Sequence, residues 1–394
     1  MRARAALALA CAAVACGLQI AAAVQQKPAG EALTAEQVRA AVDTLGTFEF
    51  PRRIAAARTV RRAPQTTAVP ILLRAVSSHT DEYVRFRALV ILSAFNDPRT
   101  RDVMLKGLSD RNDRVRAVSY SWFEYNADAT VVPRLLQALD REESEFVRPA
   151  LTRALAAYGA DPKVREVMAA LVMKGQDLFR AAVIEALGDY KAAYALKPIS
   201  EVAKLDGPLQ DDAVLALGRL GDKRALETLA ALQRTAPRPL QPTIAAAICL
   251  AGSNCPSHQG YMAEALKFAI ANPGYQDLLR SAAGGLAALA IAGHADAVNV
   301  LIDQGTPTRD PARAAIALAL GNVALRNTPL LLKTLESRSD DTGAIELLRE
   351  ALDMLEEDFE EERFFARVRR TYWQAAPGSA TRKVAEALIQ RLEF

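Results

Sequence analysis

The chain has 394 residues, 51% hydrophobic and 24% charged, and its 49 Lys plus Arg nearly cancel 46 Asp plus Glu, leaving a net charge of +3. That balance excludes a disordered polar tail, and four Cys are too few for a disulfide-dense miniprotein. No apolar run of ~20 residues follows the N-terminus, which excludes a multi-span membrane protein, and the cancelling charges speak against nucleic-acid binding.

Arg2 and Arg4 open the chain, an apolar core covers residues 5–14, and Ala21-Ala22-Ala23 supplies small residues for cleavage. This order predicts a secretory signal peptide over 1–23, with a flexible leader over 24–30. Cys16 is an alternative processing point. Lipidation there would anchor the chain to a membrane, although the residue three before such a Cys is normally larger than Ala13. Either route predicts export, to the periplasm or beyond.

The body repeats. Arg53, Arg85, Arg116, Arg148 and Arg180 each precede an Ala-rich helical run, at spacings of 32, 31, 32 and 32 residues. Ala213, Thr243, Arg280, Arg313 and Ala344 continue the register. Between these runs lies a second amphipathic pattern, with VPILLRAV at 69–76 and VPRLLQAL at 132–139 as close copies. Apolar residues recur at helical spacing in both patterns, and no period-2 run predicts a sheet. Asp97-Pro98, Asp161-Pro162 and Asp310-Pro311 read as N-caps followed by proline at the first helical position, and Pro70, Pro133, Pro198 and Pro329 fall in first turns. Each unit is then a pair of antiparallel helices that cannot bury its apolar face alone. The expectation is an all-α, right-handed α-solenoid of about ten stacked helix pairs over 31–357, with capping helices over 358–394. The acidic run 356–362 and the arginines after it read as a solvated helical face.

These features (the period of 31–33, the helix pair, the Asp or Pro near the first helix and the apolar-Arg pair opening the second) resemble HEAT repeats. They are most similar to the short bacterial kind named after phycobiliprotein lyases. The resemblance covers about 50–340 and implies a scaffold for macromolecular contacts, with a few enzymes among its members.

Candidate sites are few. Arg85, Arg116, Arg148 and Arg180 could grip acidic groups of a partner, or pair with Asp81, Asp110 and Asp113 as the structural ladder that the resemblance implies. Tyr120, Trp122 and Phe123 align with core positions of the neighbouring unit, which leaves Tyr125 as the exposed aromatic. Cys249 and Cys255 read as a disulfide in an oxidising compartment, with free thiols or a metal site with His258 as alternatives. Gly284-Gly285 reads as a close helix contact. His79, His258 and His294 are followed by Thr80, Gln259 and Ala295. The His-Glu pairs of di-iron hydroxylases built on such repeats are therefore missing. Phosphate loops, nucleophile elbows, zinc-protease helices and dinucleotide fingerprints are also missing. The expected function is an exported, non-catalytic scaffold that binds protein partners, without cofactor or nucleic acid. The alternative is a lyase-like or chromophore-handling enzyme on the same fold.

Overall fold

The computed structural model describes residues 33–339, 341–355 and 358–394. The expected signal peptide, the leader and Cys16 lie outside the described residues. Those residues contain no strand, and their helices follow one another in pairs. The pairs are α1 (Ala35–Thr44) with α2 (Phe50–Arg62), α3 (Gln65–Ser78) with α4 (Glu82–Ser93), and α5 (Thr100–Gly107) with α6 (Asp113–Tyr125). Next come α7 (Val132–Leu139) with α8 (Arg148–Ala157), α9 (Pro162–Leu171) with α10 (Asp177–Asp189), and α11 (Leu196–Ala203) with α12 (Gln210–Arg219). Then follow α13 (Ala225–Thr235) with α14 (Gln241–Leu250), α15 (Cys255–Ala271) with α16 (Gln276–Ile291), and α17 (Ala295–Gly305) with α18 (Ala312–Arg326). The last are α19 (Thr328–Glu336) with α20 (Thr342–Leu355), and α21 (Asp358–Gln374) with α22 (Ala380–Arg391). The fold is an α-solenoid.

Local chemistry sets many of the boundaries. Thr34 and Gln37 form a capping box on α1, and Asp81 and Asn112 accept backbone N–H groups at the starts of α4 and α6. Asp161 caps α9 ahead of Pro162, as the sequence predicts. The other two Asp-Pro steps differ. Asp97 turns back on the N–H and guanidinium of Arg99, and α5 begins only at Thr100. Asp310-Pro311 is a cis peptide, and α18 begins at Ala312. Pro70 sits inside α3 rather than in its first turn, because that helix starts earlier, directly after Pro64.

The two helices of a pair play different parts. From α4 to α20, each second helix packs along the next one, whereas successive first helices touch far less. The layer with the closer spacing is the inside of the curve, and its residues are small. A Cβ on Gly188 would lie 2.9 Å from the Ala216 Cα, and one on Gly218 would lie 2.7 Å from the Ala247 carbonyl oxygen. α14 is buried at every position from Pro242 to Cys249 and contributes to both the N-terminal and C-terminal stretches of the core.

This curvature brings the chain ends together. α22 covers α19 and α20 as a cap, but α21 crosses to α4 and α6 while touching α18. Phe359 thereby joins the N-terminal core. The acidic run is consequently not a solvated face. Glu360 and Glu362 are buried, and the Glu362 carboxylate is held by Arg61 at 2.6 Å and Arg369 at 3.3 Å. Arg87 pairs with Asp358, and Arg58 with Glu393. These carboxylates meet cations more than 270 residues away in sequence, which local pattern cannot reveal. Among the described residues no single helix is long and apolar enough to cross a membrane.

Gly218→Ala should lower stability by about 1–3 kcal/mol in chemical denaturation, because the added methyl meets backbone. Gly284→Ala, where a Cβ would meet nothing within 4 Å, should raise it by up to about 1 kcal/mol through helix propensity. Glu362→Gln leaves two arginines without their shared buried counter-charge. It should cost about 3–5 kcal/mol and enlarge the radius of gyration in small-angle scattering as the ends separate.

Candidate functional site on the concave surface

The repeated arginines hold their own loops. Arg85 donates to the carbonyls of His79 and Thr80 and pairs with Glu82. Arg116 donates to the carbonyls of Asp110 and Arg111 and to both oxygens of Glu142. Arg148 takes the Glu142 carbonyl and lies over the Phe179 ring, while Arg180 takes the Val172 carbonyl and Asp177. Asp81 and Asp110 are turn acceptors rather than partners of the ladder, and Asp113 accepts from Ser144. Arg313 repeats the device on Gly305 and Thr306. Where the register lacks arginine, Gln210 donates to the Ala203 carbonyl and Gln241 to those of Gln233 and Ala236. The ladder is therefore a set of loop staples, and its guanidinium groups do not form a free cationic row.

Tyr125 is exposed, as expected, but it is engaged by the chain itself. Its ring stacks on Phe359, its hydroxyl donates to Glu360 at 2.9 Å, and the Arg363 guanidinium lies over the ring. Burial first, then the Glu360 carboxylate, pushes its hydroxyl up to about 12. The structure gives this aromatic to the chain's own α21. Tyr120 and Phe123 are core, and Trp122 packs edge-on against Phe123.

A polar network that sequence reasoning missed runs along the concave layer. Glu124 on α6 accepts from Arg153 on α8 at 2.9 Å and from the Tyr190 hydroxyl at 2.8 Å. Arg153 reaches Asp189 on α10 at 2.6 Å, and Asp189 accepts from Arg219 on α12 at 2.9 Å. Burial alone would raise the Asp189 carboxyl, but Arg219 and Arg153 hold it below its ordinary value. Burial followed by Glu124 pushes the Tyr190 hydroxyl up. The available signal was a charged residue inside each apolar second-helix run: WFEY, LTRAL, LGDY and LGRLG.

Beyond this network the concave surface stays open. Between α12, α14 and α16 lies a cleft of about 550 Å³ lined by Pro208, Asp211, Asp212, Pro237, Pro239, Thr243, Asp277, Arg280 and Ser281. The Thr243 and Ser281 hydroxyls lie 2.8 Å apart on its wall. Asp212 is reached by solvent, yet desolvation first, then Glu185 and Asp211, push its carboxyl up to about 6. Burial also raises Asp211. The pair at Gly284-Gly285 borders the cleft: Gly285 packs under Met262 and Ala246, while Gly284 is open.

Cys249 and Cys255 are bonded in the structure, with their Cα atoms 4.3 Å apart. The imidazole brought to them is His294, with Nδ1 at 3.8 Å from the Cys255 sulfur, rather than the sequence-adjacent His258. His79 contacts Asp43 and accepts the Asp81 N–H.

Residues 38–122 and 105–188 match the family model for HEAT repeats. HEAT repeats are thus detected in the N-terminal part of the solenoid. Among solved structures, one chain from work on a conserved phosphorylation switch controlling the interaction between cadherin and beta-catenin is similar at 11% identity. The match covers 91% of this chain and 95% of that one, at a TM-score of 0.30. No curated protein matches the chain.

Arg153→Met leaves buried Glu124 without its cation and Asp189 with Arg219 alone. It should lower stability by about 3–5 kcal/mol in urea unfolding, and adding Glu124→Gln and Asp189→Asn should recover much of that loss.

Proposed function

We propose that this chain is an exported, non-catalytic scaffold that binds a protein partner on the surface of its HEAT-repeat solenoid. Export rests on the amino-acid pattern of residues 1–23. The short-HEAT subtype rests on the repeat signature. Partner binding is supported by the repeat architecture, since stacked rigid helices pre-organise many modest contacts at little entropic cost.

One observation carries the choice of surface. α21 covers α4 and α6, and the Glu124–Arg219 network satisfies its own charges, so the cleft between α12, α14 and α16 is the concave segment left open. Its chemistry favours a basic, extended segment. Asp211 and Asp212 supply carboxylates, Asp277 is held by Arg280, and Pro208, Pro237 and Pro239 supply rigid apolar ledges. A partner lysine or arginine at Asp212 would relieve the burden of an ionised carboxylate that burial disfavours.

The test is a cross-linking pull-down with the tagged mature chain from its host's envelope fraction, repeated with the Asp211→Asn/Asp212→Asn variant. A captured protein whose yield falls about tenfold with the variant supports the cleft. A synthetic peptide of its cross-linked segment should bind more tightly as pH rises from 5 to 7.5, because Asp212 ionises through about pH 6. With Asp212→Asn that dependence should flatten. Equal capture by the wild type and the variant would refute the cleft. Recovery of a coloured or small-molecule adduct with no protein would shift the function to the enzyme reading.

A further inference from the structure

The loop between α14 and α15 holds chemistry that a scaffold does not require. Cys255 is the first residue of α15, a helix of 17 residues whose N-cap, Asn254, makes no side-chain hydrogen bond to it. The Asn254 side chain therefore leaves the leading N–H groups of that helix uncapped, and a thiolate at Cys255 would sit at their positive end. His294, at the start of α17, places Nδ1 3.8 Å from the Cys255 sulfur. The Lys223 side chain approaches the same loop at Gly252. Helix N-termini, histidine and lysine are the environments that lower a thiol's pKa.

The two sulfurs are not equivalent. Cys249 is 4% exposed, whereas Cys255 is half-buried at the loop surface. The bond spans only six residues, between helices that already pack against each other, so it closes a short loop and constrains the unfolded chain less than a long-range bridge would. Its position suits reactivity better than stapling.

We infer that Cys249 and Cys255 are a redox-active pair that undergoes thiol–disulfide exchange with external thiols. Cys255 is the exchanging sulfur, and His294 is the positioning residue that holds its thiolate. An external thiolate attacks the Cys255 sulfur, and a new sulfur–sulfur bond forms there as the bond to Cys249 breaks. The electron pair leaves on Cys249, which takes a proton from water. A second external thiol then attacks the external sulfur of the mixed disulfide, and Cys255 departs as a thiolate at the α15 N-terminus. Two thiols become one disulfide, and two electrons and two protons pass to the cysteine pair.

The test uses the full mature chain and glutathione. Thiol counting by maleimide gel shift should show the pair opening and closing as the ratio of reduced to oxidised glutathione varies. Cys249→Ser should accumulate a glutathione adduct on Cys255. In the reduced protein, His294→Ala should slow alkylation of Cys255 by iodoacetamide at pH 7 about three- to tenfold, as thiolate is lost. His294→Ala should leave the circular-dichroism melt near that of the wild type. A pair that stays oxidised in excess reduced glutathione would overturn the inference. So would alkylation of Cys255 at the rate of an ordinary exposed thiol, unaffected by His294→Ala. Tight capture of one Zn²⁺ by the reduced protein with exchange blocked would also overturn it, in favour of a Cys₂His metal site.

Discussion

Where two helices of the concave layer meet, little more than a methyl group fits between them. Gly188 faces Ala216, Gly218 faces Ala247, Gly285 faces Ala246, and Gly321 faces Ala351. Small side chains let these axes approach closely, whereas successive first helices touch far less. A layer packed more tightly on one side than the other must bend toward the tight side. Curvature is thus written into the side-chain volumes of one helix in each pair, and the rest of the architecture follows from it.

Sustained over ten pairs, that bend returns the C-terminal end to the N-terminal repeats. What closes the ring is polar. Glu362 is fully buried between Arg61 and Arg369, and Asp358 meets Arg87. Buried ion pairs contribute less to net stability than their geometry suggests, since desolvation opposes the Coulomb gain. Their effect is on specificity: a helix docked with the wrong register would leave Arg61 or Glu362 buried and unpaired. Phe359 stacked on Tyr125 adds apolar area at the same seam. The closed form is therefore defined by charge complementarity laid over an apolar contact.

The repeat was legible in the sequence because it is local: a period, an arginine and a cap recur within each unit. The arginines' true acceptors were not, since loop carbonyls leave no trace in residue identity. Their replacement by Gln210 and Gln241, slightly earlier in the register, looked like simple loss. Ring closure was hidden for a different reason. A run such as DFEEE reads the same whether water or distant arginines face it. His294 was missed in favour of His258 because a solenoid brings together residues about one unit apart. The 39 residues between Cys255 and His294 exceed the 31–33 period because α15 and α16 are long helices, so even the repeat spacing did not point to the pair.

The open cleft lies where the arginine staples are replaced by glutamines; Arg280 pairs with Asp277 on its wall, while Asp211 and Asp212 have no ion pair of their own there among the described residues. Asp211 and Asp212 stand in the first turn of α12, where the helix dipole favours negative charge. Both residues stay exposed, yet partial desolvation at the cleft wall raises both carboxyls, with Glu185 and Asp211 adding to the effect on Asp212. For an acid raised in the folded state, the favourable contribution to stability is complete below the unfolded value and is lost as pH climbs through the folded one. For Asp212 that loss is complete above about pH 6, so at neutral pH the fold carries an ionised group that its surroundings oppose. Elsewhere on the concave layer the same problem is solved internally, as Arg153 and Arg219 do for Asp189. At the cleft Arg280 does the same for Asp277, and Asp212 is left with only the more distant pull of Arg219 against Glu185 and Asp211.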